Sequence, residues 1–273
     1  NINFLGAGYT ATGGNASWYG YVKAAEANSA DLLITPTSGT TINSNGVTFG
    51  VGQGNSIGAG EGIRLDFVRD LLGTPVNGGD YSVPGGSNHD FNQHYTVNGA
   101  VFAFSNINSS STVKFTAFDD ADGNDSVGDG AHDTITAVAI SFGGSTVVVS
   151  ATTTSVTVGG HSFGVSFVNG EVQVSNIISG ASVSAYTATG YNSIEAVYVS
   201  GDTFKVGGFN PSSLDTDPVD FKLPIQIVDG DNDTAASNID ITLTSSQPVV
   251  TAAFSSVMEN SSNTVTGAMS VST

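Results

Sequence analysis

From residue 97 onward, apolar and polar positions alternate with a period of two through a series of short runs. These are VNGAVFAF (97–104), TVKFTAF (112–118), TITAVAISF (134–142), STVVVSATTTSVTV (145–158), GVSFV (164–168), EVQVSNI (171–177), SVSAYTAT (182–189), SIEAVYV (193–199), VDFKLPIQIV (219–228) and NIDITLT (238–244). Alternation sends successive side chains to opposite faces, so each run predicts a strand with one face in a core and the other toward water. Between the runs stand Gly143-Gly144, Gly159-Gly160, Asn169-Gly170 and Gly201-Asp202, which suit tight hairpin turns. Many short strands joined by hairpins predict an all-β fold, an antiparallel β-sandwich. One segment departs from this pattern: YVKAAEANSADLL, from Tyr21 to Leu33, offers the Ala, Glu and Lys of a helix without a strong capping box. At most one or two short helices are expected.

The 273 residues divide into three stretches. Residues 1–45 are rich in Gly, Asn, Ser and Thr and are expected to pack on the core as N-terminal strands or a short helix. Residues 46–245 carry the strand pattern, and residues 246–273 follow a Ser-Ser-Gln-Pro punctuation as a linker or the start of a following element. The chain opens in mid-pattern at NINFLGAG and reads as a segment of something longer. Trp18, Tyr19 and Tyr21 read as an N-terminal packing cluster, with a sugar-stacking platform as the alternative.

Charge narrows the picture. Six Lys and Arg stand against 24 Asp and Glu, for a net charge of −18, so contact with nucleic acid or anionic lipid would begin with repulsion. With no Cys, neither a disulfide framework nor a zinc–thiolate site is available. No apolar run reaches membrane length, and no signal sequence opens the chain.

Much of the acid lies in two stretches, FDDADGNDSVGDGAHDTI (118–135) and IVDGDNDTA (227–235), neither containing Lys or Arg. Carboxylates this dense repel one another unless a hard cation sits among them, and calcium takes six to eight oxygens from carboxylates and carbonyls. The expected ligands are Asp119, Asp120, Asp122, Asn124, Asp125, Asp129 and Asp133 in the first stretch, and Asp229, Asp231 and Asp233 in the second. The plainer reading is two solvated acidic loops. An EF-hand does not fit: Thr234 stands where the loop needs Gly, and the following SNIDITLT alternates like a strand. The fold expectation is therefore a β-sandwich with long calcium-binding loops.

The order GEGIRLDFV (60–68), a Gly-rich loop, VNGAVFAF, VKFTAFDDADGNDSVGD, Val/Thr-rich hairpins, YNSIEAVYV, FKVGGF and LPIQIVDGDNDTAASNIDITL resembles the type I secretion target repeat of giant bacterial RTX adhesins. Those repeats are similar to the calcium-dependent peptide-binding domains of such adhesins. The resemblance implies a non-enzymatic, monomeric module within a larger extracellular protein on the bacterial surface, with roles in cell adhesion and biofilm formation. Its implied partner is the C-terminal end of a peptide or protein on a host or neighbouring cell. A structural extender of the adhesin stalk and a glycan-binding module are the alternatives.

Carboxylate capture has a physical route, because a calcium ion short of protein oxygens can take its last ligands from a peptide end while N–H groups of a Gly-rich turn fix the rest. The expected ligand-binding residues are Gly52, Gln53, Gly54, Asn55, Ser56 and Glu61 in the 50–62 loop, with Asp90 from the 77–95 loop. Ordinary flexible hairpin loops are the competing reading. Gly54-Asn55-Ser56-Ile57-Gly58 fits G-x-S-x-G, but more Gly follows where a nucleophile elbow needs a helix. His89 and His94 flank Asp90 at a spacing poor for shared ligation and read as exposed loop histidines. Arg64 and Asp66 share one face of IRLDFV and are expected to form a structural ion pair or to meet a neighbouring loop.

Overall fold

The structure is a computed structural model. It describes residues 4–243 other than positions 5, 7, 13–14, 24–25, 39–40, 53–54, 82–85, 87, 151, 215–218 and 229. The chain divides into two units, Asn1–Ser213 and Leu214–Thr273. The boundary thus falls before the last expected hairpin rather than at residue 245.

The first unit is an antiparallel β-sandwich, as the alternating pattern requires. Its larger sheet runs, in spatial order, Thr10–Thr12, Tyr19–Val22, Ala30–Pro36, Gly62–Arg69, Ser193–Gly201, Ser111–Asp119, Glu171–Ile177, His161–Val168 and Thr154–Val158. The short strands Ala131–Asp133 and Gln93–His94 pair with Ser111–Asp119 and Gly62–Arg69. The second sheet runs Ser145–Ser150, Ile135–Phe142, Ser182–Tyr191, Val97–Ser105, Lys205–Gly207, Thr48–Val51 and Ile42–Ser44. Alternate residues of both sheets, among them Leu65, Phe67, Phe115 and Val174 from one and Phe49, Phe102, Phe104 and Val138 from the other, make a common apolar core. The turns behave as their residues predict: Gly143-Gly144, Gly159-Gly160 and Asn169-Gly170 all hold positive φ at both positions, the two-residue geometry that matches strand twist. The Val/Thr run at 145–158 divides into two strands, Ser145–Ser150 in the smaller sheet and Thr154–Val158 at the edge of the larger one.

Among the described residues there is no helix, which corrects the expectation for Tyr21–Leu33. That segment supplies parts of two strands, Tyr19–Val22 and Ala30–Pro36, joined through a turn in which Asn28 takes positive φ. Helix propensity is a weak prior, and here it loses to burial. Leu32 and Ile34 enter the main core while Leu33, on the opposite face, joins a second cluster. A strand can bury both faces in this way.

The same two-sided burial governs Gly62–Arg69, every residue of which but the last is buried. Ile63, Leu65 and Phe67 face the other sheet. Val68 faces outward, yet it packs with Trp18, Val22, Leu33, Leu71, Phe91 and Val127. A layer of loop residues, Leu71, Tyr81, Phe91 and Val127, therefore lies over the outer face of this sheet. Trp18 is wholly buried in it, while Tyr19 and Tyr21 are buried in the main core. The aromatic cluster is packing, and the exposed platform on which a glycan reading would rest is not formed by these rings. Among the described residues the second unit contains a two-stranded hairpin, Val219–Val228 with Thr234–Leu243.

Candidate metal centre

The long acidic stretch leaves the sheet at Asp119 and returns at Ala131, because Asp119 pairs with Ala131 and Ala117 with Asp133. Residues 120–130 are thus an excursion with both ends clamped. Asn192 fixes its start: Asp120 N–H donates to Asn192 Oδ1 (2.8 Å), and Asn192 Nδ2 donates to the Asp120 carbonyl (2.7 Å). The Asn192 backbone also donates to the Phe118 carbonyl and accepts from Phe67 N–H, tying three strands together. Inside the loop, Asn124 donates from N and Nδ2 to the two oxygens of Asp122 (3.0 and 2.6 Å), and Ser126 N–H donates to Asn124 Oδ1. Gly128 has φ +94°, and a Cβ there would sit 2.2 Å from the Arg64 guanidinium. The loop presses onto that side chain in a backbone conformation that favours Gly.

This curl brings Asp120, Asp122 and Asp129 together, with one carboxylate oxygen from each lying within 4.8 Å of the others. Asp120 is buried and the other two are exposed. The Asp120 carboxyl is raised to about 6, by burial first and then by Asp129 and Asp122, with His94 drawing it down. Three oxygens at this spacing, with mutual repulsion to relieve, suit a hard divalent cation.

The remaining expected ligands have other places. Asp119 lies beside Asp133, and burial together with that neighbour raises its carboxyl. Asp133 accepts from Thr134 N–H through Oδ1. Asn124 braces the loop. Asp125 presents its carbonyl to His89 Nε2 at 2.7 Å. Asp231 and Asp233 are exposed beside the turn of the C-terminal hairpin, whose register pairs Val228 with Thr234. Asp229 lies outside the described residues.

Two histidines overturn the reading of them as exposed. His89 is 1% exposed and sits edge-on to Trp18, and the side chain of His94 is 3% exposed and edge-on to Phe91. The loop layer that covers Gly62–Arg69 covers them too. Arg64 and Asp66 do share a face, as expected, and both are buried. Arg64, however, bonds through Nε and Nη2 to Glu195, its cross-strand neighbour, and lies over the Phe118 ring. Asp66, whose charge also acts on Arg64, faces His94. The acid-rich run pointed to the loop; Asp66, His94 and Asn192 come from three other parts of the chain and carry no local signal for it.

The Gly-rich loop is arranged differently from the expectation. Gly52 N–H donates to the Thr41 carbonyl, and Gly58 N–H to Glu61 Oε2 (2.8 Å), so both are committed within the fold. Asn55 is exposed with positive φ, and Ser56 bridges Val51 and accepts from Asn106 Nδ2. Gln53 and Gly54 lie outside the described residues. Asp90 belongs to a separate ribbon, paired with Leu72. Glu61 precedes the Gly62–Arg69 strand by one residue and Asp66 is five positions farther on, about 16 Å at strand rise. The Gly-rich turn and the acidic centre stand well apart along that strand.

No protein-family model, no curated protein and no solved structure matches the chain.

Proposed function

We propose that the protein is a non-enzymatic, calcium-dependent binding module of a secreted bacterial surface adhesin, and that its ligand is the terminal carboxylate of a peptide or protein on another cell. The convergence of Asp120, Asp122 and Asp129 carries this reading. Calcium takes six to eight oxygens, and three carboxylates leave positions for water or a foreign carboxylate. The exposure of Asp122 and Asp129 supports ligand access from outside. The committed N–H groups of Gly52 and Gly58 favour capture at this ion over capture in the Gly-rich turn. A net charge of −18 repels a carboxylate, so the metal must mediate the contact.

The test is calorimetric melting and peptide titration with calcium and with chelator. Binding to the native state alone adds RT ln(1 + [L]/Kd), about 2.7 kcal/mol at a hundredfold excess over Kd. The melting temperature should rise by several degrees with calcium, and a peptide with a free C-terminus should bind only then, its amidated form not at all. An unchanged melting curve would remove the calcium reading. A calcium-dependent melt without binding of either peptide would leave a structural extender in its place.

A further inference from the structure

We propose that two copies of this chain join edge to edge through the strand Thr154–Val158, continuing the larger sheet across a two-fold axis at Val156. This contact replaces the monomer that the family resemblance implies and is independent of the calcium reading.

Charge is missing from one flank of the sandwich. Across residues 134–194 the only Lys, Arg, Asp or Glu is Glu171, in a chain with 24 acids and six bases. Glu171 is itself bonded to Lys114 (2.7 Å). These residues build the end of the smaller sheet with Ile135–Phe142 and Ser145–Ser150, and the end of the larger one with Glu171–Ile177, His161–Val168 and Thr154–Val158. The turns at 143–144 and 159–160 touch, since a Cβ on Gly143 would lie 3.3 Å from the Gly159 Cα, so the two sheet ends stand side by side.

Each sheet ends here on a strand that, among the described residues, pairs on one side only. At their opposite ends the sheets finish in Thr10–Thr12 and Ile42–Ser44, of three residues each. Very short strands, Lys, Pro and bulges are the devices by which natural sheets blunt an edge. Thr154–Val158 has none of the last three, is five residues long, and keeps an unbroken register with His161–Val168. Such an edge is a template for another strand.

Register decides which groups are free. Val158 and His161 flank a two-residue turn as a hydrogen-bonded pair, so Thr154, Val156 and Val158 direct their N–H and C=O groups to the neighbouring strand. Those of Ser155 and Thr157 point to the open edge. An identical strand laid antiparallel about Val156 sets Ser155 of each copy against Thr157 of the other, for about four backbone hydrogen bonds. The faces match as well: Ser155 and Thr157 are exposed, while Val156 packs against the core and would meet the second Val156 on that same inner face.

Charge also selects the occupant. Two chains of net charge −18 repel one another over most of their surfaces, and this flank lets them approach with the fewest like charges opposed. A strongly charged peptide would find no countercharge on the edge. Self-pairing needs none, and it closes on a two-fold axis.

The experiment is sedimentation velocity of the full chain in saturating calcium, from micromolar to millimolar protein. The mass should double, and added salt should favour the dimer by screening the like charges outside the contact. Thr157→Pro removes an N–H that the fold does not use, and should weaken dimerisation by about tenfold or more. Because the chain has no Cys, Val156→Cys reports the register directly: Cα atoms opposed at about 4.5 Å are within disulfide reach, so this variant should crosslink as a dimer in air. Ser155→Cys, whose two copies lie diagonally, should crosslink far less. A monomer at every concentration, a dimer undiminished in Thr157→Pro, a dimer dissolved by salt, or crosslinking by Val148→Cys in place of Val156→Cys would overturn the contact.

Discussion

Asp31, Asp66 and Asp120 are all buried, and they differ only in what surrounds them. Asp31 meets three donors, Asp66 meets a histidine, and Asp120 meets other carboxylates. The last arrangement makes a pH signature. In protein freed of metal, burial and the neighbouring carboxylates raise Asp120 to about 6 from 3.8. The folded state then holds the proton across a range in which the unfolded state has released it. Stability is thus fully present below about pH 4 and is lost as pH rises through about 6, by roughly 1–3 kcal/mol. Calcium should reverse the slope, because the ion needs the ionised carboxylates and competes with protons. Melting temperatures of stripped protein in metal-free buffers across this range, with and without calcium, check the sign. Asp120→Asn should flatten the stripped profile, and a stripped protein more stable at pH 7 than at pH 4.5 would contradict the assignment.

At the scale of elements, the metal centre depends on the loop layer lying flat against the Gly62–Arg69 strand. Gly128 is its closest approach, where a Cβ would meet the Arg64 guanidinium in a backbone conformation that L side chains rarely adopt. Gly128→Ala should therefore displace Arg64 from Glu195 and lift the segment holding Asp129. The expected cost is about 1–3 kcal/mol in denaturant unfolding, with weaker calcium binding. Gly123→Ala, at φ +73° with open space around it, should show backbone strain without the clash and a smaller loss of calcium affinity. Equal calcium affinities in the two variants would mean that the packing of the loop on Arg64 does not shape the site. Such close approach also explains why this stretch, polar in sequence, includes the buried residues Asp120, Ser126 and Val127.

At the scale of the whole molecule, Asn1–Ser213 contains both sheets, the loop layer and the acidic centre, and Leu214–Thr273 contains the D-x-D-x-D turn. A chain ending at Ser213 should retain the calcium-linked melting transition of the full protein by scanning calorimetry. Loss of that transition would show that the second unit contributes to the centre. The sequence by itself determined most strands from residue 97 onward and their turns, because alternation and paired Gly or Asn-Gly act within a few residues and such a strand needs only its own two faces to declare itself. Val97–Ser105, Ser111–Asp119 and Glu171–Ile177 lie where their patterns put them for that reason. It also located the acid-rich loop, since seven oxygen-bearing side chains in one run are visible without a fold. Only the tertiary structure decided which of them converge, and that Asp66 and His94 are sealed beneath the loop beside Asp120. It also decided that Ala30–Pro36 is a strand rather than the end of a helix. Those outcomes depend on strand register and on a covering layer, which join residues 66, 94, 120 and 192 across distances that no local pattern spans.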